Sequence, residues 1–338
     1  MAEINRNQYV VGPCRITRGT GEAFTKGPAI LRLEKSFTPV EVDAFGFVDQ
    51  RDDDILIKLD FTPEGRVDAN TLSFMYPYLN PVVGVDIFGP TADTPTVLLA
   101  SDGVNNDTHT ILCSAVTQMP QLILSAGKTM FGPMEITGVR AATKGWADAA
   151  SLYTVSTAAA AGSLSSATMT GSELPEAIKI QSWTGVWGAL TGFTNIQTED
   201  GWTIDFDLGL QWIKTDKLGT VCAKLKSLKV MAKCVPLGTP SMLVAATDLA
   251  NSELQLLVQS ATGGRGRSSN AAVTTTSHDL TITGADAKTV VVIKSATLVS
   301  EGFRFGSEVL RQGEMGWVAT RTFATGTVGA IASITYTP

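Results

Sequence analysis

WTIDFDLGLQW, residues 202–212, separates its side chains by position more completely than any other stretch of the chain. Successive side chains in a strand point to opposite faces. Trp202, Ile204, Phe206, Leu208, Leu210 and Trp212 therefore share one face, and Thr203, Asp205, Asp207, Gly209 and Gln211 share the other. One face is dry and one is wet, as in a sheet that packs on a core from one side only. Burying apolar groups of this number and size is worth on the order of 10 kcal/mol before chain entropy is counted. A one-residue slip would turn them all to water, so the register is strongly specified. The polar face can look at solvent, at a partner or into an enclosed channel.

Working outward, Glu199, Asp200 and Gly201 read as the turn that launches this strand, and 178–193 carries Trp183 and Trp187 ahead of it. Downstream, VCAKLKSLKVMAKCV (221–235) alternates over part of its length, with Leu225, Leu228, Val230 and Cys234 set against Lys224, Lys226, Lys229 and Lys233. Lysines on a strand suit an outer or edge position, because charge there resists uncontrolled pairing. ILIKLDF (55–61) repeats the one-sided pattern, with Ile55, Ile57, Leu59 and Phe61 opposed to Leu56, Lys58 and Asp60. The TPEG that follows is a turn, since Pro presets φ and Gly accepts a positive one. Shorter strand candidates lie at 9–16, 29–37, 97–100, 109–118, 280–282, 290–298, 317–323 and 328–337, the second pair flanking an SDGVNND turn.

Four stretches read as loops: 38–54, with Pro39, Gly46 and a charged cluster; the small-residue tract 154–171; 261–277; and 17–28, rich in Gly, Thr and small residues. A loop as long as the first is usually functional. Weak helical patterns occur at 145–151 and 247–260, whereas Pro77, Pro81 and Pro90 argue against a continuous helix between 72 and 90. Roughly a dozen strand candidates against two or three short helices make the chain mainly β.

The chain has 338 residues, enough for two ordinary domains or one with a large insertion. Only 17% of them are charged, against roughly 25% in ordinary soluble domains. A surface so lightly charged suits extensive cover by neighbouring subunits, and equally an extracellular β protein. The net charge of -6 argues against gripping nucleic acid through its phosphates, which takes clustered Lys and Arg. Cys14, Cys113, Cys222 and Cys234 form no CxxC and read as buried thiols from a reducing compartment. MAEINRNQYVVG has no apolar signal-peptide core and no run of about 18 apolar residues occurs, so the expectation is assembly in the cytoplasm without a membrane span.

Enzyme chemistry finds little footing. His109 and His278 sit among Thr, Ser and Asp in expected turns, without Cys, His or Glu at metal-ligand spacing. Asp52, Asp53 and Asp54 lack the alternating spacing and terminal Glu of a calcium loop. Gly263, Gly264 and Gly266 around Arg265 and Arg267 lack the strand, helix and Lys-Ser/Thr pair of a phosphate loop, and read instead as a basic loop meeting an acidic neighbour. Asn106-Asp107-Thr108 is a glycosylation sequon only if the chain is secreted. Asp205 and Asp207 come from one strand with no aromatic on their face, a poor glycosidase pair. No catalytic residue, cofactor or metal ligand is assigned.

Five stretches together resemble the tail tube, or major tail, proteins of long-tailed bacteriophages: the strand at 29–37, the long segment to Asp54, ILIKLDFTPEG (55–65), WTIDFDLGLQW, and GSEVLRQGEMGWVATRTF (306–323). The resemblance covers about a third of the chain. It implies a tail-tube-like β-sandwich or barrel core with small helical decoration, and rings of six subunits stacked into a hollow tube. DNA would pass through without specific binding. Expected partners are further copies of the chain and the tail terminator, tape measure and distal tail proteins, in the virion, with no membrane. It implies that Lys58, Asp60, Asp205, Asp207 and Gln211 face the lumen, and that the loop with Val42, Asp49, Arg51, Asp52, Asp53 and Asp54 bridges to the next ring. Length beyond the family pattern places an external insertion near 154–171 in a core of 1–235, an inserted or appended outer β domain at 236–289, and strands returning to the core at 290–338.

Two other readings stand beside it. One is another virion part, a capsid decoration or baseplate protein. The second is a carbohydrate-binding surface β protein, with Trp146, Trp183 and Trp187 as sugar platforms, against which stands plain core packing of those tryptophans.

Overall fold

The structure, a computed structural model, describes residues 14–42, 46–64, 69–80, 83–88, 94–101, 105–126, 128–140, 152–159, 182–188, 195–215, 219–237, 277–300, 303–305, 310–319, 323–324, 327–328 and 330–337. In chain order the elements are β1 (Arg15–Arg18), β2 (Gly21–Thr25), β3 (Ile30–Val42), β4 (Gly46–Phe61), β5 (Pro63–Glu64), α1 (Ala69–Met75), β6 (Thr96–Ser101), β7 (Asn105–Ile111), β8 (Ser114–Gln118), β9 (Leu122–Ser125), β10 (Lys128–Phe131) and β11 (Met134–Gly138). There follow β12 (Tyr153–Ala159), β13 (Trp183–Trp187), β14 (Ile196–Thr215), β15 (Gly219–Pro236), β16 (Ser277–Gly284), β17 (Thr289–Ser300), β18 (Phe303–Phe305), β19 (Leu310–Gln312), β20 (Met315–Ala319), β21 (Phe323–Ala324), β22 (Thr327–Val328) and β23 (Ala332–Tyr336). The protein is mainly β, and every strand pairing among the described residues is antiparallel.

The strand around Trp202 anchors a closed barrel. β14 pairs with β13, β13 with β16, β16 with β17, β17 with β20, β20 with β15, and β15 returns to β14. Alternation puts Trp202, Ile204, Ala232, Ile282, Ile293 and Trp317 inside, each essentially inaccessible. The Trp202 and Trp317 rings lie 5.5 Å apart and the Trp187 and Trp317 rings 6.3 Å, so this interior is a packed core and not a pore. Trp183 and Trp187 are likewise 3% and 2% exposed, so neither offers a sugar platform; Trp146 lies outside the described residues.

The N-terminal half forms two further sheets, β12–β7–β6–β1–β2–β5 and β3–β4–β11–β8. Two strands turn the corner between them, β4 continuing into β5 and β7 into β8, as in packed sheets that exchange strands. Ile16, Leu98 and Ile111 from one sheet meet Leu59, Val116 and Ile136 from the other. α1 covers this core with Leu72 and Met75 and stops before Pro77, whose ring would clash with the helix. β9 and β10 leave this half and add to the free side of β14, so sandwich and barrel share one continuous core.

Several expectations are corrected by pairing partners distant in sequence. The segment 38–54 is not a loop: β3 and β4 form one ladder from Ile30↔Asp60 to Val42↔Gly46. The first part of the tract 154–171 is β12, paired with β7 from Tyr153↔Ile111 to Ala159↔Asn105, which makes the second half of the expected SDGVNND turn a strand too. β16 takes Ser277–Gly284 out of the expected outer domain and into the barrel, while β17, β20 and β23 join the same sheet. Glu199, Asp200 and Gly201 are not a turn but a bulge within β14, where Gly201 has φ of 94° and a Cβ would lie 2.0 Å from the Leu124 carbonyl oxygen. The lysines of β15 mark its outward face and not an edge, since β20 and the segment 83–88 cover its second side. The expected helices at 145–151 and 247–260 lie outside the described residues.

Candidate assembly face

β3, β4, β11 and β8 present one apolar and one charged face. Ile57, Leu59 and Ile136 point into the core, so Arg32, Glu34, Lys58, Asp60 and Glu135 necessarily point out. Arg32 lies 3.1 Å from Asp60, 3.3 Å from Glu34 and 3.5 Å from Glu135. Lys58 lies 3.1 Å from Glu34 and 3.6 Å from Glu135. Thr117 donates to Glu135 at 2.7 Å, extending the network to β8. Burial pushes the Asp60 carboxyl above its ordinary value; Arg32 and Lys58 pull it down, and Glu135 and Glu34 push it up. Each partly exposed pair contributes about 1 kcal/mol or less, so the network fixes the charge pattern more than the stability.

Beside this face β14 and β8 diverge, leaving a cleft of about 560 Å³ that Thr117, Gln118, Asp205 and Asp207 help to line. Gln121 donates its side-chain amide to Asp205. Lys58, Asp60, Asp205 and Asp207 thus belong to one continuous surface, connected through Glu135 and Thr117. Gln211 lies farther along β14, exposed and opposite Lys224. The wet face of β14 is not simply acidic, because the register sets Lys229 opposite Asp207 and Lys233 opposite Thr203.

Beyond the barrel the dry face of β14 changes partner. Leu208 and Leu210 pack against a second cluster with Phe88, Ala115 and Leu225, and Leu56 of β4 joins it. Trp212, expected in the core, is 38% exposed and touches Phe88 with ring centroids 6.1 Å apart. The hairpin has run past the sheet that would have covered it. Its closing turn is clasped by β4: Asp54 accepts from the Thr220 amide at 3.0 Å, from the Thr220 hydroxyl at 2.7 Å and from Lys214 at 2.9 Å. Burial alone would raise the Asp54 carboxyl, but these Thr220 and Lys214 contacts outweigh it and hold the group below its ordinary value.

The remaining expected bridging residues lie along the β3–β4 ladder: Val42 opposite Gly46, Asp49 opposite Val40, Arg51 opposite Thr38 and Asp52 opposite Phe37, with Asp53 at the bulge. β11 accompanies β4 only over Ile57–Phe61, so from Glu34↔Leu56 outward the two strands pair with each other alone among the described residues. This arm is about 30 Å long at the rise of a strand. β3 has no partner on its outer side among the described residues, and exposes Ile30 (56%), Leu33 (62%) and Phe37 (54%).

Sequence reasoning missed Arg32, Glu34 and Glu135, although ILRLE and MEITG alternate; the signal is there once 29–37 is given faces. Thr117, Gln121 and Thr220 carry none, because their roles come from strands distant in sequence. His109 and His278 are strand residues and not turn residues, one bonded to the Tyr153 hydroxyl and the other edge-on to Trp187. Among the described residues no three His, Cys, Asp or Glu side chains are grouped to hold a metal ion. All four cysteines are free; Cys14, Cys113 and Cys234 are buried as expected, whereas Cys222, expected to be buried, is only partly so. Among the described residues no helix is long and apolar enough to cross a membrane. No protein-family model matches the chain, and a search of curated proteins gives no match.

Proposed function

We propose that the chain is a structural subunit of a phage tail tube, which closes into rings of six and stacks into a channel for DNA. The observation that carries this reading is the β3–β4 arm. A two-stranded ribbon about 30 Å long is marginally stable alone, and an edge that bears Leu33 and Phe37 and has no partner among the described residues invites pairing with another chain. A further copy of the same subunit satisfies both needs. The charged face of β3–β4–β11–β8 supplies the channel wall in this reading. Arg32 and Lys58 each have carboxylates within 3.1–3.6 Å, so among the described side chains of this sheet phosphate meets no run of free cations, and DNA slides past. Ring ends meet the terminator, tape measure and distal tail proteins, and the assembled product belongs to the virion.

Negative-stain and cryo-electron microscopy of the purified protein tests the reading, with stacked six-fold rings as the expected result. Deleting 42–50 leaves Thr38 and Arg51 joined by Pro39, Val40 and Glu41, a length that suits a hairpin loop. That variant is expected to stay folded and to form no tubes. Normal tubes from it, or Lys58 and Asp60 on the outer surface of the wild-type tube, refute the assignment.

A further inference from the structure

β15 carries its lysines at positions of both parities, Lys224 and Lys226 ahead of Lys229 and Lys233. A regular strand would send the first pair to one face and the second pair to the other. The bulge between Gly209↔Ser227 and Leu210↔Leu225 inserts Lys226 as an extra residue and shifts the phase. Ala223, Leu225, Leu228, Val230, Ala232 and Cys234 are therefore all buried, while Lys224, Lys226 and Lys229 are exposed and Lys233 half-buried. The result is one outward row of four cations, about 30 Å long, on a strand whose other face is packed.

The row is also free. Arg15, Arg32, Lys58, Lys214 and Lys294 each have a carboxylate at 2.6–3.1 Å, whereas among the described residues none of the four β15 lysines has an ion pair. Asp207 stands opposite Lys229 without pairing to it. Asp205 is held by Gln121, and Asp86, bridged to Lys224, accepts from the Phe88 amide at 3.0 Å. β15 has no aromatic side chain to stack on a base or a sugar ring. Cations without such groups respond to charge repeated along a polymer and not to its sequence.

We propose that this row is a contact track for the phosphate backbone of duplex DNA. Its length is close to one turn of the duplex, about 34 Å. The choice of DNA rests on the tube reading, which brings DNA past this surface, since Asp207 lines the cleft beside the charged sheet and stands opposite Lys229. The net charge of -6 opposes DNA at a distance, so the contact is weak, broken by salt and compatible with sliding. Composition averages over the whole surface and hides the row.

Fluorescence anisotropy of a labelled duplex of about 20 base pairs, titrated with the full-length protein, tests it. Four neutralised phosphates give a log–log salt slope of about −3.6, so binding weakens about fiftyfold between about 50 and about 150 mM NaCl. Lys226→Gln with Lys229→Gln halves the slope, and the same step then costs about sevenfold; Lys226→Arg with Lys229→Arg keeps the wild-type slope. No binding at about 20 mM NaCl, a wild-type slope shallower than about −2, or an unchanged slope in the Gln variant overturns the proposal. So does tighter binding of poly-glutamate than of the duplex, which would make the row a docking surface for acidic protein. Tubes seen by electron microscopy from a protein that binds no DNA refute this inference and leave the tube reading standing; DNA binding without tubes does the reverse.

Discussion

Replacing Asp54 by Ala removes the clasp between the β3–β4 arm and the turn of the β14–β15 hairpin. The Thr220 amide is buried in a residue only 1% exposed, so losing its acceptor at 3.0 Å costs about 1–3 kcal/mol. The Thr220 hydroxyl bond at 2.7 Å goes to a charged acceptor and adds about 1.5 kcal/mol. Lys214 is 65% exposed, so its ion pair adds well under about 1 kcal/mol. The expected loss for Asp54→Ala is about 3 kcal/mol at neutral pH. Asp54→Asn keeps an oxygen for one Thr220 donor and loses about 1 kcal/mol. Urea denaturation followed by tryptophan fluorescence reads this as a midpoint about 1 M lower for the alanine variant at an m-value of about 3 kcal/mol/M. The sign with pH follows from the carboxyl being held below its unfolded value near 3.8. Its contribution is complete above that value and is lost as pH falls through the folded value, so the gap between wild type and Asp54→Ala narrows below about pH 4. Equal losses from Ala and Asn, or a gap that does not depend on pH, refute the clasp.

Gly185→Ala places a Cβ 2.3 Å from Cζ2 of Trp202, an indole already packed on Trp317; the variant should lose about 2–3 kcal/mol, and an unchanged melting temperature refutes the packed barrel. Asp60 shows the opposite pH sign to Asp54. Because burial raises its carboxyl, its contribution to stability falls as pH rises from the unfolded to the folded value, and Asp60→Asn should flatten that part of the stability profile measured by urea titration. A steeper slope in the variant contradicts the assignment.

Alternation in Trp202–Trp212 and Ile55–Phe61 is legible in the sequence, because a strand side chain has only two faces and burial of one is worth several kcal/mol. It correctly assigns the dry faces of Trp202, Ile204, Ile57 and Leu59 and the mainly β class. It fails at Trp212, since periodicity records which residues share a face and not where the covering sheet ends. The arm at 38–54 reads as a loop because Pro39, Gly46 and the run of charges from Asp49 to Asp54 interrupt any apolar period, and only the pairing of β3 with β4 makes it a ladder.

By itself, then, the sequence determined the strand class, the packed side of its two best strands short of Trp212, and the burial of three of its four thiols, all of them properties of local order and composition. The tertiary structure alone decided that the barrel closes, with β20 between β17 and β15, and that Lys229 stands opposite Asp207. It alone decided that Asp54 reaches Thr220, 166 residues away, and that β3 has no partner on its outer side among the described residues. Those facts depend on which distant strands meet, and pairing is selected by the joint burial of the whole core, a quantity that no single stretch carries.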